Sequence, residues 1–235
     1  MVHVPSGPFL RGADPSNSSH DEQPQASIHL KTFWIDRLEV TAKEFAHCVA
    51  ARACTPTPTE PRCNQGKTDK LDHPINCMSW TGAQAYCKWV GKRLPTEAEW
   101  EKAARGTDGR LYPWGHEPPP SCARVCMNEG NYGCGTNSTC PVGSRPDGAS
   151  PYGAQDMAGN VWEWVSDYYE SDYYKRAPSR DPRGPETGGN RSIRGGGFTA
   201  GGSLARTTLR GNNTESSTEY YNGFRCASDH PDAAR

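Results

Sequence analysis

The sequence predicts one loop-rich, disulfide-stapled domain, and three observations predict it. Glycine (25) and proline (20) are abundant, while only 34% of the residues are hydrophobic. That composition suits turns and irregular structure, not a helical bundle. The ten cysteines form no Cys-x-x-Cys pair and have no histidine at zinc-finger spacing, so they read as disulfides formed in an oxidising compartment. Helix-like and strand-like stretches are short and separate, with no internal repeat and no linker composition. Residues 1–235 are therefore expected to form a single domain.

Taken in order, Phe9-Leu10-Arg11-Gly12 reads as a short strand ended by glycine, and Phe33 to Val40 has strand composition. Thr41 can cap a helix that contains Phe45. Residues 52–77, rich in Pro, Thr and Cys, read as a stapled loop. Ser79 or Thr81 caps a helix through Val90, with Gly91 at its end. Thr96-Glu97-Ala98-Glu99 is a capping box opening a second clear helix, with Trp100, Ala103 and Ala104 facing inward and Gly106 as the stop. Residues 106–150 carry no period. Val161 to Val165 suits a strand or a tight turn, 170–192 is polar, and Ile193 to Ala227 alternates strand-like pieces with Gly and Asn turns.

Lys plus Arg is 26 and Asp plus Glu is 27, a net charge of −1. Such a chain has no global field to hold nucleic acid or an anionic membrane. Its apolar runs fall far short of the ~18–20 residues that span a bilayer. It has no Gly-x-Ser-x-Gly elbow and no phosphate loop, which leaves hydrolase and nucleotide readings unsupported. The N-terminus lacks the basic and apolar regions of a signal peptide. With the cysteines, this reads as a mature secreted, periplasmic or cell-surface domain. His116, beside the Trp114-Gly115 turn, is the one histidine with a functional claim.

Seven motifs in order carry a resemblance. They are Val4-Pro5-Ser6-Gly7-Pro8-Phe9-Leu10-Arg11-Gly12; Phe33-Trp34-Ile35-Asp36 with Glu39-Val40-Thr41; Gly91 through Glu101; Tyr112-Pro113-Trp114-Gly115; Gly159-Asn160-Val161-Trp162-Glu163-Trp164; Arg194-Gly195-Gly196; and Gly223-Phe224-Arg225-Cys226-Ala227. The chain resembles the formylglycine-generating enzyme (sulfatase-modifying factor) family over nearly its whole length. The resemblance implies an α+β fold related to C-type lectins, low in regular secondary structure.

Members of that family that make formylglycine carry two cysteines just after the Arg-Gly-Gly motif, whose thiolates hold copper and bind the substrate cysteine, as a soft metal requires. Here the segment from Gly197 to Arg206 contains no cysteine, and none occurs between Cys140 and Cys226. No copper is expected. The family's iron-binding helical module is absent too, and no His-x-x-x-His spacing occurs.

By the same resemblance, Asp156 and Glu163 side chains with the carbonyls of Gly159 and Val161 form a structural calcium site. Ca²⁺ is a hard ion that accepts carbonyl and carboxylate oxygens in an irregular cage. The competing reading has both carboxylates capping turns or pairing with arginines. A second site would start at Asn128 and the Glu129 carbonyl, but its other ligands fall in a loop that here carries Cys134 to Cys140. Resemblance pairs Cys87 with Cys226; a second family bridge, at positions matching Ala104 and about Leu209, is missing as a pair. Cys48 with Cys54, Cys63 with Cys77, and two bridges among Cys122, Cys126, Cys134 and Cys140 are nearest-neighbour expectations. A redox-active thiol pair is the alternative.

Binding of a protein, peptide or glycan is the expected function. Tyr168 and Tyr173, with Tyr169, Tyr174, Tyr220 and Tyr221, offer amphipathic rings for a recognition surface, and Arg206 and Arg210 add charge to the segment between residues 198 and 222. A rival reading places a different, non-copper chemistry in the equivalent cleft, using Ser203, Arg206, Arg210 and Glu215; it requires a deep pocket with a perturbed acid or base. A third makes the chain a structural module of a longer surface protein.

Overall fold

A computed structural model describes residues 1–231 of the chain. Strands β1 (Val2–Val4), β2 (Gly7–Arg11), β3 (Ala26–Leu30) and β4 (Phe33–Ile35) open it. β4 stops short of the stretch with strand composition. From Asp36 the backbone turns away to bond the chain's far end: Asp36 N–H donates to the Cys226 carbonyl and Val40 N–H to the Phe224 carbonyl.

Three α-helices follow, and each starts where its capping residue stands. In α1 (Ala42–Ala50) and α3 (Glu97–Arg105), Thr41 and Thr96 accept the N–H of the third helical residue, whose glutamate reaches back to the cap. Both satisfy two otherwise orphaned donors. In α2 (Trp80–Trp89) the Ser79 hydroxyl accepts from Gly82 N–H, so the cap is Ser79 and not Thr81. Gly91 (φ 70°) and Gly106 (φ 70°) follow the ends of α2 and α3 in a conformation that favours glycine.

The remaining strands are β5 (Trp162–Tyr168), β6 (Arg191–Arg194), β7 (Arg210–Asn213), β8 (Asn222–Gly223) and β9 (Ala227–Ser228). They form a four-stranded sheet in the order β7-β6-β5-β8, with β5 and β8 parallel, and add β9 to a three-stranded sheet β1-β4-β9; β2 and β3 pair alone. Helices and sheets are mixed, few and short, and no α-helix or strand occurs from residue 106 to residue 161.

Two apolar clusters meet the sheets. One joins α1 and α2 to the four-stranded sheet through Phe45, Tyr86, Trp164 and Phe224. The other packs α3, through Trp100, Ala103 and Ala104, against Phe9, Ile28 and Phe33. Trp164 is fully buried, and its indole N–H donates to the Met78 carbonyl (2.7 Å).

Five disulfides hold the long connections: Cys48–Cys54, Cys63–Cys77, Cys87–Cys226, Cys122–Cys134 and Cys126–Cys140. The last two interleave, so the region from residue 122 to 140 is a double-stapled knot. All ten cysteines are paired and no thiol is free. A buried polar set links two of the loops. Asn64 Nδ2 donates to the Pro74 carbonyl and to Thr139 Oγ1, and His73 Nδ1 lies 2.8 Å from the same Thr139 oxygen.

Burial, with Lys70 nearby, lowers the His73 pKa to about 4. The unfolded chain takes up this proton below about pH 6.5 and the folded chain does not, so stability is full above pH 6.5 and falls as the pH drops toward 4. Thermal unfolding in steps from pH 7 to pH 4 should show a shallower acid loss for His73→Gln than for the native chain. Equal slopes would contradict this origin.

Candidate functional site

The candidate site is the face built by the segment that follows β6. Arg194 closes the strand with its side chain fully buried. Its guanidinium donates to Glu97 Oε1 (3.1 Å), Glu101 Oε2 (3.0 Å) and the Thr207 carbonyl (2.8 Å). Gly195 and Gly196 then turn the chain with φ of 94° and 74°. A Cβ on Gly196 would lie 2.8 Å from the Leu204 carbonyl oxygen, so the turn needs glycine.

Beyond the turn the segment is stitched down on both sides. Phe198 is buried; its N–H donates to the Asn160 carbonyl, and its carbonyl accepts from Gly133 N–H. Asn128 N–H donates to the Ala200 carbonyl. Residues Gly202–Leu204 make one 3₁₀ turn, and Ala205 is buried against Val125, Met127 and Ala158.

Arg206 and Arg210 face inward. Arg206 makes a two-pronged pair with Glu22 (2.7 and 2.8 Å), which also accepts from Thr208 Oγ1 (2.5 Å). Arg210 is 6% exposed and pairs with both oxygens of Glu97 (2.8 and 3.0 Å). Burial alone would raise the Glu97 pKa, but Arg210 and Arg194 override it and hold the carboxyl below its ordinary value. Arg206 and Arg210 belong to the frame under the face: their charge is already met by carboxylates more than a hundred residues away in sequence.

The tyrosines divide. Tyr173 and Tyr174 are buried, at 6% and 4% exposure. Tyr174 lies under the guanidiniums of Arg11 and Arg210, with ring centroids 4.0 and 4.3 Å away, and its hydroxyl donates to Glu101. Tyr168 is half-buried beneath Arg191 (3.4 Å). Tyr132, Tyr220 and Tyr221 are half-buried around Phe198 and the Cys126–Cys140 bridge. The exposed Arg62 stands over the Tyr132 and Tyr220 rings at 5.7 and 4.7 Å. Also on the segment after β6, Leu204 is 37% exposed, and Tyr112 and Trp114 stack at 5.1 Å beside the Ala205 cluster. Composition marked Tyr220 and Tyr221 in advance; Arg62 and Tyr132 reach the patch only through the cysteine-stapled loops.

Ser203, Arg206, Arg210 and Glu215 do not converge on a pocket. Ser203 is exposed, the arginines are spent as described, and Glu215 accepts from Arg191 (2.8 Å). The protein has a cavity of about 1020 Å³ and another of about 550 Å³, and neither is lined by the segment from 198 to 222.

Behind it lies the loop from Asp156 to Glu163. Asp156, Gly159 and Asn160 all have positive φ (55°, 79° and 56°). Gly159 has no alternative, since a Cβ there would sit 2.5 Å from the Cys126 carbonyl oxygen. Glu39, Asp156 and Glu163 are all buried. Arg225 pairs with both oxygens of Glu163 (2.7 Å each), while Trp100 Nε1 donates to one of them (2.9 Å).

Glu39 accepts instead from Asn160 Nδ2 and Val161 N–H, and Asp156 from Gly143 N–H. Burial first, and then Asp156 and Glu163, push the Glu39 pKa well above its ordinary value; burial likewise raises Asp156. Among the described residues, no group of three or more His, Cys, Asp or Glu side chains is placed to hold a metal. Glu163 is shared with Arg225. Asn128 is half-buried at the edge of the stapled loop, and the Glu129 carboxylate accepts from Cys122 N–H.

The family profile described as "Sulfatase-modifying factor enzyme 1-like domain" matches residues 1–230. The chain is 36% identical to a formylglycine-generating enzyme of Thermomonospora curvata, over 97% of this chain and 93% of the relative. It is 32% identical to the inactive C-alpha-formylglycine-generating enzyme 2 of Mus musculus, over 97% of this chain and 85% of the relative. Among solved structures, PvdO from Pseudomonas aeruginosa superposes with a TM-score of 0.83 at 27% identity, covering 97% of this chain and 93% of that one. Profile, relatives and fold agree: the chain belongs to the sulfatase-modifying factor enzyme 1-like family.

Proposed function

We propose that this chain is an extracellular binding domain of its family, without the copper–cysteine oxidase site, and that it engages a protein, peptide or glycan through the face after β6. The observation that carries this reading is the fate of the cysteines. None lies between Cys140 and Cys226, and all ten are consumed in disulfides. A soft metal ion has no thiolate to hold it on this face. Five disulfides also suit an oxidising location. In place of thiolates the face presents Tyr132, Tyr220, Tyr221, Arg62 and Leu204, the amphipathic aromatics and arginine that dominate recognition surfaces.

The test is binding to arrayed peptides and glycans, native chain against Tyr220→Ser and Leu204→Asp. Ligands held by the native chain should weaken about tenfold or more in both variants, the usual cost of losing an anchor. Unchanged binding would remove the face from the account.

Calcium belongs to the same proposal in a structural role. Asp156 and Glu163 side chains with the Gly159 and Val161 carbonyls would hold it, and its charge would balance the buried carboxylates. It would clamp loops that lack sheet or helix hydrogen bonds. Chelation should lower the unfolding temperature and added Ca²⁺ restore it, with a gain of ~2.7 kcal/mol at a hundredfold excess over Kd. Asp156→Asn should abolish that response. A native chain whose unfolding ignores both chelator and Ca²⁺ would refute the site.

A further inference from the structure

The cavity of about 1020 Å³ is lined by none of the residues of the face after β6. It opens where the β3–β4 turn, the end of α2, the approach to α3 and the stretch from 181 to 183 meet, and Asp229 closes one side. Its charges are uneven. Lys31, Lys88, Lys92, Arg93 and Arg183 line it, against Glu99, Asp181 and Asp229, an excess of two positive charges in a chain whose net charge is −1.

Two of the cations are engaged. Lys92 pairs with Asp36 (2.6 Å), and Arg93 pairs with Glu99 and Asp229 (2.7 and 2.5 Å). Lys31, Lys88 and Arg183 are exposed and enter no salt bridge among the described residues. Arg183 acts on Asp229 only at longer range. On the wall, the Nδ1 of His29 is buried without a hydrogen-bond partner.

We propose that this cavity is a docking site for an acidic peptide segment. Three uncommitted cations at the rim favour anionic groups and would speed their capture. The three carboxylates among them disfavour a dense polyanion and suit a ligand whose negative charges are few and spaced. The exposed Gln84 side chain offers hydrogen bonds to a peptide backbone. The lining has no Phe, Tyr or Trp on which a sugar ring would stack. The volume matches the upper range for a pocket that encloses part of an extended ligand, up to ~1000 Å³.

The test uses fluorescein-labelled octapeptides in anisotropy titrations: Ser-Asp-Leu-Asp-Gly-Ser-Asp-Leu and the same sequence with lysine for aspartate. The expected result is binding of the acidic peptide about tenfold or more tighter than the lysine analogue, weakening with salt. Lys31→Glu, Lys88→Glu and Arg183→Glu together should abolish it while thermal unfolding stays native-like. Lys43→Glu with Arg52→Glu, exposed positions outside the lining, should leave it. Equal binding of the two peptides, or equal weakening by both sets of reversals, would overturn the proposal. So would tighter binding of a heparin-derived oligosaccharide through the same three residues, which would make a polyanionic glycan the occupant.

Discussion

Replacing both Cys87 and Cys226 with alanine should lower the unfolding temperature by about 10–20 °C, the largest single effect expected in this protein. The bridge closes 139 residues of chain, and in the chain-entropy account a loop of that length restrains the unfolded state by ~5 kcal/mol. It also ties α2 to the strip that carries Phe224, and both sulfurs are fully buried in that cluster. Alanine at both positions avoids leaving an unpaired thiol. Differential scanning calorimetry of the non-reduced variant measures the loss. A fall of only a degree or two would mean that the other bridges already restrain the unfolded chain.

Glu97→Gln should cost about 3–5 kcal/mol, because it leaves buried guanidiniums short of a partner. Glu97 serves Arg194 and Arg210 together, all three almost wholly buried. Glutamine keeps the shape and one acceptor oxygen but removes the charge and sets an amide NH2, a donor, against a guanidinium N–H. The paired change Glu97→Leu with Arg210→Met should recover part of the loss, since an apolar pair carries no uncompensated charge. Chemical denaturation of the single and double variants tests both statements. A single variant within 0.5 kcal/mol of the native chain, the ordinary scatter for a surface change, would show that Glu101 and Glu22 alone neutralise the cluster.

Local signals in the sequence translate directly into structure. Thr41 with Glu44 and Thr96 with Glu99 start helices because both members of each capping box lie within one turn. Trp100, Ala103 and Ala104 face the core because helical period decides it. Long-range partners are not legible in that way. β4 ends at Ile35 because the backbone of residues 36 and 40 bonds to residues 226 and 224, and no window of sequence contains both. The interleaving of Cys122–Cys134 with Cys126–Cys140 is likewise a property of the folded loop.

The candidate site shows the same divide. An arginine in sequence declares its charge but not its partner. Arg206 and Arg210 read as surface charge until Glu22 and Glu97 are seen beneath them. Tyr173 and Tyr174 read as exposed because their neighbours are polar, yet they are buried. The missing thiolates needed no structure at all, since their absence between residues 140 and 226 is a fact of composition.

That absence has a direct chemical consequence. The purified, disulfide-intact protein is incubated with Cu(I), oxygen and a sulfatase-type Cys-x-Pro-x-Arg peptide, beside an active enzyme of the family, and the peptide is followed by mass spectrometry. The account predicts formylglycine from the control enzyme and none from this protein. Formylglycine produced above background by this protein would contradict it, because copper would then be working without a cysteine ligand in the segment after β6.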